Sequence, residues 1–224
     1  MKITEVSVRV RSALEAGEFY ADALGLAVVR TPGAATVSVG TTRLELVEDP
    51  AADGDHHFAM TIPSNKFDEA KEWIERRAVL LGTPDADEFE CSPAWNARSV
   101  YFAGPDRSVL ELIIRRDLRN ATDGPFTSAD LLCLSEIGVA VPDVPALAAA
   151  LGEAAGVAPY GGAPGDTFAP VGDADGLLIL VETDRTWFPT TDRVARETPV
   201  SVTASGGRVG TYPLGPRGSL RVLP

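Results

Sequence analysis

The feature that most constrains this chain is an internal repeat: three segments share one plan, an alternating strand, a short amphipathic helix and three further strands. In the first segment, about 2–48, Val6, Val8 and Val10 fall on one face of the opening strand and Glu5, Ser7 and Arg9 on the other. A helix through Phe19, Tyr20 and Leu24 stops at Gly25, a C-terminal cap, and strands follow at 26–31, 34–40 and 42–48. In the second segment, about 56–115, Phe58, Met60 and Ile62 oppose His57, Ala59 and Thr61, and Pro63 ends the strand because it brings no N–H. The spacing of Phe67, Ala70, Trp73 and Ile74 predicts a helix over 65–77, before strands at 86–90, 98–103 and 108–114. In the third segment, about 134–182, Ile137, Val139 and Val141 oppose Glu136, Gly138 and Ala140. An Ala-rich helix at 144–155 and strands at 157–160, 167–171 and 176–182 complete it. Residues 117–130, with Asn120, Asp123, Gly124 and Pro125, read as a linker, and the tail beyond 190 reads as short strands punctuated by Gly and Pro.

The three segments agree in register as well as in element order. The outward position of the opening strand carries Glu5, His57 and Glu136 in turn. In the last strands, Leu44-Glu45-Leu46 aligns with Leu110-Glu111-Leu112 and Leu178-Ile179-Leu180, so Glu45, Glu111 and Ile179 share one site. Alternation sends the leucines toward the helices and the carboxylates to the opposite face.

Composition narrows the function classes. With 32 acidic against 20 basic residues the formal charge is −12, which argues against binding a phosphate backbone. No apolar run approaches the roughly 18 residues of a membrane span, and the N-terminus lacks the pattern of a secretion signal. Two cysteines, Cys91 and Cys133, are too few for a disulfide framework and too far apart for a Cys-x-x-Cys site, so a cytoplasmic setting is expected. There is no P-loop, no Gly-x-Ser-x-Gly elbow and no dinucleotide fingerprint.

The segment Phe19-Tyr20-Ala21-Asp22-Ala23-Leu24-Gly25-Leu26 resembles the helix ending of the vicinal oxygen chelate superfamily. So do Ser99-Val100-Tyr101-Phe102-Ala103-Gly104-Pro105-Asp106 and Val109-Leu110-Glu111-Leu112, which are similar to its third strand, turn and fourth strand. That superfamily includes glyoxalase, extradiol dioxygenases, methylmalonyl-CoA epimerase and the fosfomycin and bleomycin resistance proteins. The resemblance implies an α+β fold of β-α-β-β-β modules whose curled mixed sheets enclose a cavity. It also implies metal ligands from the first and last strands of two paired modules. On that reading modules one and two (1–50 and 55–116) pair within residues 1–116. Residues 117–130 link them to a degenerate third module with C-terminal strands over 131–224. The implied metal ligands are Glu5, Glu45, His57 and Glu111, and a second site in module three is not expected because Ile179 replaces the carboxylate.

Buried carboxylates are costly unless paired or metal-bound, and a divalent Zn, Mn, Ni, Co or Fe ion suits mixed oxygen and nitrogen ligands. Glu111 or Glu45 would double as the base that moves a proton beside a carbonyl. Around them Ser99 and Tyr101 share the cavity face, Arg9 is placed to bind an anionic substrate or to pair with a glutamate, and Trp95 and Asn96 lie where a loop can cap the cavity. His56 and His57 are the only histidines and, as strand neighbours, face opposite ways. One chain therefore cannot build a two-histidine, one-carboxylate iron site. The leading expectation is a glyoxalase-like, metal-dependent lyase, isomerase or epimerase acting on a small oxygen-chelating metabolite. Two alternatives stay open: a metal-free, ligand-sequestering protein of the bleomycin-resistance type, and a dioxygenase whose iron site a partner subunit completes. The expected partners are a small-molecule substrate or ligand and, in the last case, a second copy in a homodimer.

Overall fold

Each repeat forms its module locally. In a computed structural model that describes residues 1–53 and 55–224, the first segment gives β1 (Lys2–Val10), α1 (Ala13–Asp22), β2 (Ala27–Thr31), β3 (Ala34–Val39) and β4 (Thr42–Glu48). The second gives β5 (His57–Thr61), α2 (Phe67–Glu75), β6 (Leu80–Leu81), β7 (Glu88–Glu90), β8 (Ala97–Ala103) and β9 (Val109–Arg115). The third gives β10 (Cys133–Val141), α3 (Val144–Ala155), β11 (Phe168–Asp173) and β12 (Gly176–Glu182). The expected strand at 157–160 is reduced to one isolated bridge between Pro159 and Val171. The tail adds β13 (Val200–Ser205), β14 (Gly210–Pro213) and β15 (Gly218–Leu223). Ser12 and Asp143 cap the N-termini of α1 and α3 by accepting from the backbone N–H groups of Glu15 and Ala146. Gly156 ends α3 at φ 70°, a left-handed conformation that glycine adopts at little cost.

The strands assemble into two mixed sheets, in the orders β14-β15-β13-β1-β4-β3-β2 and β11-β12-β10-β5-β9-β8-β6, with β7 paired to β8. This corrects the expected pairing of modules one and two. Module two joins module three through the antiparallel β5–β10 contact. Module one joins the tail through β1–β13, and the tail behaves as a fourth module without its helix. The outward faces explain the choice. On β1, Glu5 and Ser7 lie opposite Thr203 and Ser201 of β13, and Arg9 and Ser205 continue the two outward rows, all polar and all at least partly exposed. On β5 and β10, by contrast, His57, Ala59, Thr61, Glu136 and Ala140 are all buried. Strands whose outer faces match in polarity sit together, because a buried face next to a wet one would strand polar groups without water.

The helix-bearing faces of both sheets share one apolar core. Val6, Val8, Leu44 and Leu46 of the first sheet and Phe58, Met60, Leu110 and Leu112 of the second belong to it, with Tyr20, Trp73, Ile74 and Leu151 from the helices. Residues 117–130 are held firmly at their end: the buried Lys66 ammonium lies 3.3 Å from Asp130 Oδ1. Burial alone would raise the Asp130 pKa. The Thr127 N–H, Lys66 and Thr122 outweigh it and hold that carboxyl below its usual range. No helix among the described residues is long and apolar enough to cross a membrane.

Candidate functional site

The outward face of the second sheet carries a pocket of about 100 Å³ with His57, Glu111 and Glu136 in its wall. Sheet register brings the two carboxylates together. Ala59 is the partner of Glu111 across β5–β9 and of Glu136 across β5–β10, so one small buried side chain separates the two acids. His57 lies two residues earlier on β5 and faces the same way. One ligand atom from each of His57, Glu111 and Glu136 lies within 4.8 Å of the others, and all three residues are buried.

A bulge sets the position of Glu136. The β10–β5 register shifts between Leu134 and Glu136, which lets two consecutive side chains serve one side of the strand. Both reach Arg115, the last residue of β9. Its Nη2 donates to Glu136 Oε1, and its Nη1 donates to Ser135 Oγ at 3.3 Å and Thr61 Oγ1 at 3.5 Å. Arg115 is itself only 1 % exposed, so this is a buried ion pair.

The imidazole of His57 has one orientation that satisfies it. Nδ1 lies 3.1 Å from the Val109 carbonyl, an acceptor, so Nδ1 carries the proton. That leaves the Nε2 lone pair 3.6 Å from Glu111 Oε2. Burial lowers the His57 pKa to about 4, so the ring is neutral at physiological pH. For Glu111, burial first and the charge of Glu136 second push the carboxyl well above its usual range, and Arg115 offsets only part of this. Burial also raises Glu136, with Arg115 opposing. The two acids titrate together. The guanidinium sits on Glu136, so of the two carboxyls Glu111 is the one held further above its usual range. Burial likewise keeps Tyr101, the cross-strand partner of Glu111, as a phenol, and pushes the Cys91 thiol up to about 12, where it is a poor nucleophile.

Residues 183–199, between β12 and β13, cover the pocket. The Trp187 ring lies over His57 with centroids 5.3 Å apart, and Phe188 packs on Tyr101 at 5.5 Å and Phe89 at 4.7 Å. Gly138 makes this possible: a Cβ there would come within 2.5 Å of the Trp187 ring. The segment is anchored by Arg193, which donates to the Ser108 carbonyl at 2.7 Å, and by the Val194 N–H, which donates to Asp55 at 2.7 Å.

The structure divides the expected ligand set between the sheets. His57 and Glu111 meet in the second sheet. Glu5 and Glu45 lie on β1 and β4 of the first, where Glu5 Oε1 accepts from Arg43 at 2.6 Å and Glu45 is half-buried beside Ser7. Among the described residues neither joins a group able to hold a metal, because their module pairs with the tail and not with module two. Arg9 is on the first sheet for the same reason, and its carbonyl accepts from His56 Nε2 at 2.8 Å. Tyr101 and Trp95 line the pocket, and Trp95 packs on Tyr160 at 5.6 Å. Ser99 is fully buried on β8, with an Oγ that has no partner among the described residues. Asn96 turns away with φ 44° and donates to Asp117 at 2.8 Å, outside the pocket wall. Glu136 was legible as the third member of the repeat position. Arg115 was legible only as an arginine on the parity of Glu111, Trp187 only as part of the aromatic run Trp187-Phe188-Pro189 after the third module, and Arg185 follows a strand with no pattern to mark it.

Two mixed sheets, built from three β-α-β repeats and a helix-less tail joined in pairs, give the fold expected of a vicinal oxygen chelate protein. No protein-family model matches the sequence, and no curated protein matches it. Among solved structures the chain is similar to a proposed dioxygenase from Bacillus subtilis subsp. subtilis str. 168, at 16 % identity and a TM-score of 0.59 over 99 % of this chain and 85 % of that one. It is also similar to two variants of glyoxalase I from Zea mays. One has 16 % identity and a TM-score of 0.56 over 90 % of this chain and 74 % of that one. The other has 14 % identity and a TM-score of 0.55 over 99 % and 93 %. The likeness is one of fold; the chemistry rests on the site.

Proposed function

We propose that the protein is a glyoxalase-like, metal-dependent enzyme of lyase, isomerase or epimerase type that acts on a small oxygen-bearing metabolite at His57, Glu111 and Glu136. One observation carries the proposal: a buried imidazole lone pair and two buried carboxyl groups converge within 4.8 Å. The donor set fits a divalent cation. His57 gives its N–H to a carbonyl, as metal-ligating histidines do, and so presents a bare Nε2 toward Glu111. Three protein ligands leave positions for substrate oxygens, the arrangement of catalytic and not of structural sites. When bound, such a cation would act as a Lewis acid toward a substrate oxygen.

The chain's own residues supply the rest. Arg115 fixes Glu136 and opposes its protonation. The Glu111 carboxyl, raised by burial and set between Tyr101 and His57, is the group placed to move a proton. Trp187, buried over His57, shields that side of the site from water, which strengthens the charges beneath it. A pocket of about 100 Å³ favours a metabolite over a drug-sized ligand, whose sites span roughly 300–1,000 Å³.

Uptake of the cation should therefore be proton-linked. The Glu111 carboxyl is raised, so below its own pKa it is protonated and the ion must displace that proton. Mn²⁺ affinity should fall as pH falls, by about 10-fold per pH unit over the range between the usual carboxylate value and the raised one. Calorimetry in two buffers of different ionisation enthalpy should read about one proton released per ion. No Mn²⁺ uptake, or uptake independent of pH, would overturn the proposal.

A further inference from the structure

Resting on the reading of the pocket as an active site, we infer that its substrate class is small carboxylates bearing an adjacent oxygen, with Arg185 as the specificity-determining residue. Apart from the His57–Glu111–Glu136 cluster, the wall is mostly apolar and aromatic, including Phe168, Ile179, Val181 and Phe188. Arg185 is the basic side chain in that wall. It is held in place from one side only: Nη1 donates to the Thr167 carbonyl at 2.9 Å and to Thr167 Oγ1 at 3.4 Å, and the guanidinium lies 5.2 Å over the Phe168 ring.

No carboxylate among the described residues pairs with Arg185. The adjacent Asp184 is taken by Arg196, and Glu182 makes no ion pair. The guanidinium is solvent-exposed at the pocket wall, tethered by Thr167, with Nε and Nη2 free of protein partners among the described residues, and it presents a fork suited to a carboxylate. In a chain of net charge −12, one local cation must counter the field that would otherwise repel an anion. A second feature agrees. Trp187, 6 % exposed and part of the same wall, has an Nε1–H with no partner among the described residues. A buried donor left without an acceptor is costly, and a ligand oxygen would supply one. A cavity of about 100 Å³ suits a small ligand.

The test compares glycolate with ethylene glycol, which keeps two adjacent oxygens and lacks the charge. Binding is read by tryptophan fluorescence and calorimetry, in the metal-free and the Mn²⁺-loaded protein. Glycolate should bind the wild type at least about 10-fold more tightly than ethylene glycol. Arg185→Met should weaken glycolate by about 10-fold and leave ethylene glycol and Mn²⁺ affinity unchanged, while Arg185→Lys should retain part of the preference. Equal affinities for the two probes in the wild type, or glycolate binding unchanged in Arg185→Met, would overturn the inference. Failure of the wild type to take up Mn²⁺ would instead overturn the proposed function, and the metal-free comparison would still decide the anion preference.

Discussion

Arg115→Met is expected to destabilise the protein by about 3–5 kcal/mol at neutral pH, because it removes one partner of a buried ion pair and leaves Glu136 without compensation. The cost should depend on pH in a definite direction. Glu136 already lies above its usual range, and loss of the guanidinium, which opposes that shift, raises it further. Below the unfolded carboxylate value the group is protonated in both states and the penalty is small. As pH rises toward the raised folded value, the unfolded state loses its proton first and stability is lost. The double variant Arg115→Met/Glu136→Leu replaces both charges with apolar groups of similar size and should recover to within about 1 kcal/mol of wild type. Urea denaturation of the three variants, including Glu136→Leu alone, at acid and neutral pH gives the cycle. An Arg115→Met protein as stable as wild type at neutral pH, or one whose deficit grows on acidification, would mean that Glu136 is not held by Arg115.

His57→Ala should lower Mn²⁺ affinity by at least about 100-fold, more than the loss typical of a supporting residue around a metal site. His56→Ala should leave it essentially unchanged. The contrast follows from strand parity: the neighbouring rings point to opposite sides of β5. His57 meets Glu111 at 3.6 Å, whereas His56 donates to the Arg9 carbonyl at 2.8 Å and stacks on Phe58 at 5.7 Å. His56→Ala should therefore lower stability by about 1 kcal/mol through its lost hydrogen bond without touching metal content. Elemental analysis after dialysis reads the difference. Equal metal content in wild type and His57→Ala would remove the imidazole from the site.

Strand parity and module boundaries were legible in the sequence because they are local. Alternation placed His57, Glu111, Ser99 and Tyr101 on one face, and the repeat aligned Glu136 with His57. Which module pairs with which was not legible from the same evidence, since every opening strand offers the same edge to any other. The decision rests on long-range matching of outer faces, polar for β1 with β13 and buried for β5 with β10. A comparison of the outward residues 5, 7 and 9 with 201, 203 and 205 carries that signal, but short tail strands separated by Gly and Pro do not announce themselves as a module. Pairing modules one and two assigns Glu5 and Glu45 to a site that they do not reach and omits Glu136, which lines the pocket. Arg115 escaped notice because an arginine ending the strand Val109–Arg115 reads as a surface residue until the bulge at Ser135 brings its partners to it.

The most direct measurement is an anomalous difference map from crystals soaked in Mn²⁺, collected for wild type and His57→Ala. The expected result is one peak in wild type, about 2.0–2.2 Å from His57 Nε2 and from oxygens of Glu111 and Glu136, that disappears in the variant. A map with no peak among these three residues at saturating Mn²⁺, or with its peak beside Glu5 and Glu45, would contradict the assignment of the site to the second sheet.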